Sequence, residues 1–467
     1  MSHTLSLIEA VLFGNIDDVR SQLGEHVDLE AIDEYGFTPL IEAVIANKLE
    51  IVNLLLEKGA EVDNVDATGR TALHWAVDNH NTSLCQLLLD HHANPNAYTA
   101  HGQPLLVLPL LRQQNDLKQL LYQHHAQLSF AQDFIQVKLL GHRYELSGQA
   151  DIINPQGTFV AVDYEGFFIE FVLDIIHYSL QRYQTHFAIR PFRDFLPDLT
   201  LISQLFKRAS ALLQYQKYTV DIQTVATEVD PLLNEEWLLL PIAYEGHAIS
   251  FIKYKHILVR CDRALDNLQE GSIVVYQITR PNQWHLDFVK KLLYQKQNKD
   301  FIKQGISVYL GLKPIGQIPI GAQLVGNCSW ANIESSILAM LCVLRLAEGL
   351  SLEQALKHPS IKIYEHWLQW DKARALEETI QNFQYASPPR KATIAMLLGA
   401  VLFQVCDYQN TESLDIAKRL TPILMTDHYQ YVLKSYLKVY WYDRKTPQGH
   451  HLVRLLEHCG VSITLLR

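Results

Sequence analysis

Four textures follow one another along the chain. Over residues 3–128, short apolar stretches such as "EIVNLLLEKGAEVD" and "SLCQLLLDHHANPN" read as amphipathic helices that recur at a fixed interval. Over 129–235, "QADIINPQGTFVAVDYEGFFIEFVLDIIHYSLQRYQ" opens with turn residues and continues into an amphipathic helix, and "PDLTLISQLFKRASALLQYQKY" predicts a second. From 236 to 350 the pattern begins as strand. "EWLLLPIAYEGHAISFIKYKHILVRCDRA" alternates short β-type runs with turns at Glu245-Gly246 and Lys253–Lys255, and "GSIVVYQIT" adds another strand. "ANIESSILAMLCVLRLAEGLSLEQALK" then returns apolar residues at helical spacing and breaks at Gly349, after which Ser351 is placed to cap a helix with Gln354 at the capping-box position. Residues 351–467 form a helical C-terminal region, with helices predicted over 361–385, 391–407, 412–443 and 449–458.

The first texture is a repeat. Gly36, Gly69 and Gly102 stand 33 residues apart, and Asp33 and Asp66 precede the first two by three. Around them run "DEYGFTPLIEAV", "DATGRTALHWAV" and "TAHGQPLLVLPL", and a degenerate earlier copy begins near Leu5. Each glycine permits a tight turn into a helix pair, and Thr38 and Thr71 are placed to cap the first helix of theirs. The pattern resembles ankyrin repeats, about four of them, which implies an α-solenoid. Such an array has no chemistry of its own and binds protein. The resemblance makes the hairpin positions Tyr35, Thr68, Arg70, Tyr98 and His101 the candidate partner contacts.

Composition narrows the class. A chain of 467 residues exceeds one ordinary core, and 48% hydrophobic with 19% charged residues is normal for a folded protein. A net charge of −10 gives no basic footprint for direct nucleic-acid binding. No uncharged apolar run reaches the roughly 18 residues of a membrane span, and the opening residues lack the features of a secretory signal. The six cysteines, at 85, 261, 328, 342, 406 and 459, have no paired spacing, which argues against disulfides and a zinc cage and suits a reducing compartment. His450, His451 and His458 lack partners at ligand spacing, so neither metal nor other cofactor is expected.

One cysteine has a distinct setting. In "GNCSWAN" Cys328 opens the long apolar helical pattern, where unpaired N–H groups and the helix dipole favour a thiolate. His247 follows a glycine at a strand start, and Asp262 ends the next strand 15 residues on. An antiparallel hairpin would set the two side by side. Asp266 and Asn267 lie close enough to compete for the role of orienting the imidazole.

These elements resemble the papain-like cysteine proteases of clans CA and CE, in which a strand histidine takes the proton of a helix-opening cysteine. Gly246-His247-Ala248 is similar to the histidine strand, and Cys328 with Trp330 is similar to the nucleophile helix. The resemblance implies an α+β papain-like body following the repeats. Gln323 would supply an oxyanion-hole amide beside the Cys328 N–H. The order His247, Asp262, Gln323, Cys328 is that of clan CE enzymes, such as SUMO proteases and YopJ-type effectors. Their glutamine commonly stands six residues ahead of the cysteine; here it stands five ahead.

Ankyrin repeats joined to such a body resemble the ankyrin-repeat effectors of intracellular bacteria such as Legionella. That resemblance implies type IV secretion without a signal peptide, with which the ending "VSITLLR" is compatible, and action on a host protein in the host cytosol or nucleus. Two functions follow as expectations. In one, the repeats recruit a host protein that Cys328 cleaves or modifies. In the other, an inert protease-like scaffold and the repeats together perturb a host complex.

Overall fold

The computed structural model describes residues 6–24, 27–216, 222–264, 271–323 and 326–466. Four helix pairs open the chain: Leu7–Phe13 with Ile16–Gln22, Pro39–Ile45 with Leu49–Glu57, Ala72–Asp78 with Thr82–Asp90, and Val107–Leu111 with Asn115–Gln123. Their starts are written locally. Thr38 accepts a hydrogen bond from the Ile41 N–H, and Thr71 forms a capping box with His74. The fourth pair, which lacks the Thr-Pro signal, has no side-chain cap on either helix.

Gly36, Gly69 and Gly102 all take positive φ, at 80°, 79° and 72°. What each faces reveals how the array ends. A Cβ on Gly36 would meet Ala67 of the next finger at 3.3 Å, and one on Gly69 would meet Ala100 of the next at 2.4 Å. One on Gly102 would come within 2.6 Å of the Ala161 carbonyl, on a strand.

That strand belongs to a hairpin, β1 (Gln149–Ile153) and β2 (Phe159–Asp163), which the expected turn-then-helix reading of this stretch lacks. Val160 and Val162 are buried while Phe159, Ala161 and Asp163 are exposed, so the alternation is present but only five residues long, beside a strong helical signal. The helix Leu128–Arg143 precedes the hairpin, and the packed pair Ile169–Thr185 and Leu196–Leu213 follows it.

Five strands then form an antiparallel sheet in sequential order: β3 (Trp237–Tyr244), β4 (His247–Tyr254), β5 (Ile257–Cys261), β6 (Ile273–Ile278) and β7 (Leu312–Ile318). Glu245 and Gly246 both have positive φ, as a two-residue hairpin turn between β3 and β4 requires. The helical segments Cys328–Glu334 and Ser336–Ala347 run on from one another, with the sheet on one side and the helix Ile169–Thr185 on another. By length and composition this 20-residue stretch could cross a membrane, but 83% of its most apolar window is buried inside the fold, as befits a core helix.

In the C-terminal region Ser351 and Gln354 form the expected capping box. Helices begin at Pro388 and Pro447, a few residues before the expected starts, because proline fits the first turn of a helix. The single helix expected over 412–443 is divided into Thr411–Leu424, Gln430–Tyr436 and a π-helical turn, Leu437–Asp443. At the break the Thr426 hydroxyl bonds the Ile423 carbonyl, a local bond that competes with helix continuation.

A buried ion pair ties three of these helices. Asp371, on Lys362–Tyr385, accepts from Arg143 Nε at 2.6 Å, from Arg374 at 2.7 Å and from the Ser179 hydroxyl at 2.6 Å. Burial opposes its charge, but the two guanidinium groups and the Ser179 hydroxyl hold the carboxyl down to about 2. Its stabilisation is therefore present above the unfolded value of 3.8 and is lost as the pH falls through about 2. Asp371→Asn should lower stability by about 3 kcal/mol in urea unfolding at neutral pH, with the deficit shrinking on acidification. Unfolding curves that coincide with the parent at pH 7 would refute this.

Candidate active site

The β3–β4 turn delivers His247 as the first residue of β4, and β5 runs back beside it so that Asp262 follows its last residue. His247 Nε2 lies 2.8 Å from Asp262 Oδ1. Asp262 is 1% exposed, and the Ala264 N–H also donates to the same oxygen at 3.3 Å. With Nε2 committed to the carboxylate, Nδ1 is the ring nitrogen left for the thiol. Asp266 and Asn267 lie outside the described residues.

Cys328 is the first residue of its helix and borders the same cleft as His247. Its Sγ accepts from the Ala248 N–H at 3.4 Å. Burial disfavours the thiolate, yet the neighbouring His247, the N–H groups of Ala248 and Ser329, and the imidazolium charge together pull the thiol below its ordinary value. The converse holds for the histidine. Burial disfavours its charge, and the bond to Asp262 and the neighbouring Cys328 outweigh it and raise the imidazole to about 9. Cys342 shows what burial does alone, since desolvation pushes it up to about 12; burial is also the largest cause at Cys85, Cys261 and Cys406, which are pushed up to about 12 as well.

Gln323 is tied by its backbone N–H to the Arg263 carbonyl at 2.9 Å, and its buried Oε1 has no hydrogen-bond partner among the described residues. It borders a cleft of about 830 Å³ together with Gly246, His247, Gly326 and Cys328. The opposite wall is Phe134, Lys138 and the segment from Glu165 to Phe168. Lys138 fixes that wall, donating to the carbonyls of Asp163 and Glu165 at 2.6 Å each, and burial brings its ammonium down to about 8. The Phe167 N–H reaches across to the Ser329 hydroxyl at 3.3 Å, beside Cys328. These wall residues were not among the sequence candidates. The one local signal for them is Lys138, a lone cation on the apolar stretch "FIQVKLLG".

The structure thus brings Cys328, His247, Asp262 and Gln323 together, and it disperses the five hairpin candidates. Tyr35 is 65% exposed, and Thr68 is exposed with its hydroxyl donating to Asp66 at 2.6 Å. Arg70 lies between Asp78, at 3.5 Å, and the face of Trp75, at 4.9 Å. Tyr98 packs edge-on against Phe130. His101 stands at the mouth of the Cys328 cleft, 3.9 Å from Asp163. Among the described residues no cluster of three His, Cys, Asp or Glu side chains is placed to hold a metal ion.

Fold and site together define an ankyrin-repeat protein whose array is joined to a mixed helical and sheet body in which Cys328 and His247 border a cleft and Asp262 is buried behind the imidazole. The family model for ankyrin repeats matches residues 7–99 in three copies. The solved structure of the Legionella effector AnkH is 42% identical to the chain, covers 98% of each, and superposes with a TM-score of 0.83. The chain therefore belongs to the family of that effector. No curated protein matches it by sequence.

The opposed shifts of His247 and Cys328 both favour a thiolate beside an imidazolium. Iodoacetamide should accordingly alkylate Cys328 with a pH midpoint below the ordinary thiol value of about 8.5, and faster at neutral pH than it alkylates Cys342. His247→Ala should return the midpoint towards that value. Peptide mass spectrometry across a pH series reads both, and a midpoint unmoved by His247→Ala would refute the pairing.

Proposed function

We propose that this protein is a bacterial effector that captures a host protein with its ankyrin repeats and cleaves or modifies it at a papain-like cysteine site. The observation that carries the reading is the cluster of Cys328, held by the Ala248 N–H, beside His247, which is hydrogen-bonded to Asp262, with the thiol lowered and the imidazole raised, opening on a cleft bordered by the fourth repeat. Each residue has a role that its geometry suits. Asp262 holds the ring through Nε2, so that Nδ1 takes the thiol proton. The thiolate attacks an amide or isopeptide carbonyl, and the oxyanion is held by the Cys328 N–H and the Gln323 amide. His247 then protonates the departing amine, leaving a thioester. A water deprotonated by His247 hydrolyses that thioester and frees the thiol. With an amine in place of water the same intermediate gives acyl transfer.

The host cell as the place of action is supported by membership of a Legionella effector's family. Delivery by type IV secretion, into host cytosol or nucleus, is part of the same proposal. The exposed fingertip residues Tyr35 and Thr68 are the proposed contacts for the captured protein.

Peptide coumarylamides and an isopeptide-linked substrate offered to the full chain test the chemistry. Turnover is expected to fall by about 10²-fold or more in His247→Ala and to vanish in Cys328→Ala. If Cys328→Ala retained the full biological effect in host cells, the catalytic reading would give way to a binding effector with an inert protease-like scaffold.

A further inference from the structure

β4 extends past the end of β5. Pairing between them begins at Ser250 with Cys261, so among the described residues the edge of β4 around Ala248 has no strand beside it on that side. The nucleophile helix fills the gap with two side chains one turn apart. Cys328 Sγ accepts from the Ala248 N–H at 3.4 Å, and Asn332 Nδ2 donates to the Ala248 carbonyl at 2.6 Å. The other end of the same amide, Asn332 Oδ1, accepts from the Arg263 N–H at 2.7 Å. Asn332 is fully buried, and its two partners fix the orientation of the amide, since a carbonyl requires the NH₂ end and an N–H requires the oxygen.

We propose that Asn332 is a positioning residue for the Cys328 site. This rests on the proposed function and concerns the geometry that the function needs. Ala248 adjoins His247, and Arg263 adjoins Asp262. Residues i and i+4 of a helix share a face, so Cys328 and Asn332 face the sheet together. One side chain thereby sets three spacings: thiol to imidazole, imidazole to carboxylate, and helix to sheet. The titratable groups near the thiol are His247 on β4 with Asp262 behind it, and Lys138 and Glu165 across the cleft; Asn332 carries no charge itself. Its effect on reactivity therefore comes through the placement of the imidazole.

The test measures alkylation of Cys328 by iodoacetamide across a pH series in the full chain, alongside thermal melting. Asn332→Leu keeps the branched shape and the number of heavy atoms, in a somewhat larger volume, and removes both bonds. It should move the pH midpoint of alkylation up by about one unit, slowing the reaction about tenfold below the midpoint. Ser336→Ala is the structural control. Ser336 is equally buried one turn further on, and its hydroxyl bonds the Ser250 hydroxyl and the Asn332 carbonyl oxygen, away from His247 and Asp262. It should lower the melting temperature and leave the midpoint in place. If Asn332→Leu does not fold, Asn332→Ser, which keeps a polar group but cannot span both partners, decides by the same midpoint. A wild-type midpoint below the ordinary thiol value that neither Asn332 variant moves would overturn the positioning role alone. An ordinary midpoint in the wild type would overturn the thiolate reading of Cys328, and the positioning role with it.

Discussion

A strand that outruns its neighbour leaves backbone N–H and C=O groups without partners, and burying them so is costly. At Ala248 the chain meets that cost with Cys328 itself. The sulfur of Cys328 receives the N–H, the Asn332 amide bonds the carbonyl, and the helix is thereby drawn against the strand that begins with His247. The depressed thiol, the raised imidazole and the short bond to Asp262 all depend on that apposition. The site is assembled by satisfying a sheet edge, and its electrostatics follow from the fit.

The elements legible in the sequence are those whose cause is local. Thr38, Thr71 and Ser351 cap helices because a hydroxyl reaches an N–H three residues on, and the glycines at 36, 69 and 102 turn because their φ is positive. His247 beside Asp262 was readable for a similar reason, since a two-residue turn and a short antiparallel return fix which residues meet. Cys328 was readable as a helix start, though not as the partner of Ala248.

What was not legible arises between distant segments. Lys138 lies on a helix some 190 positions before Cys328, and it enters the cleft only because its ammonium finds the carbonyls of Asp163 and Glu165. The β1–β2 hairpin has five-residue strands whose alternation is too short to outweigh the helix that follows. By its place in the repeat His101 is a fingertip residue; its position at the cleft mouth depends on where the finger of the fourth repeat is packed. Asn332 looks like a polar interruption in an apolar helix until both of its partners are in view.

The finger of the fourth repeat has a further consequence. Gly36 and Gly69 each lie against the finger that follows, whereas Gly102 lies against Ala161 of β2. The hairpin thus occupies the place that the finger of a fifth repeat would take. Repeat arrays ordinarily lengthen and shorten by duplicating or losing whole units, because each unit answers only to its neighbours. At this end that freedom is gone. A unit inserted after Gly102 would separate the array from β2, which leads through Asp163 into the wall facing Cys328. Growth by duplication remains open only towards the first helix pair, so the number of repeats can drift at one end of the array while the other end is held to the geometry of the cleft.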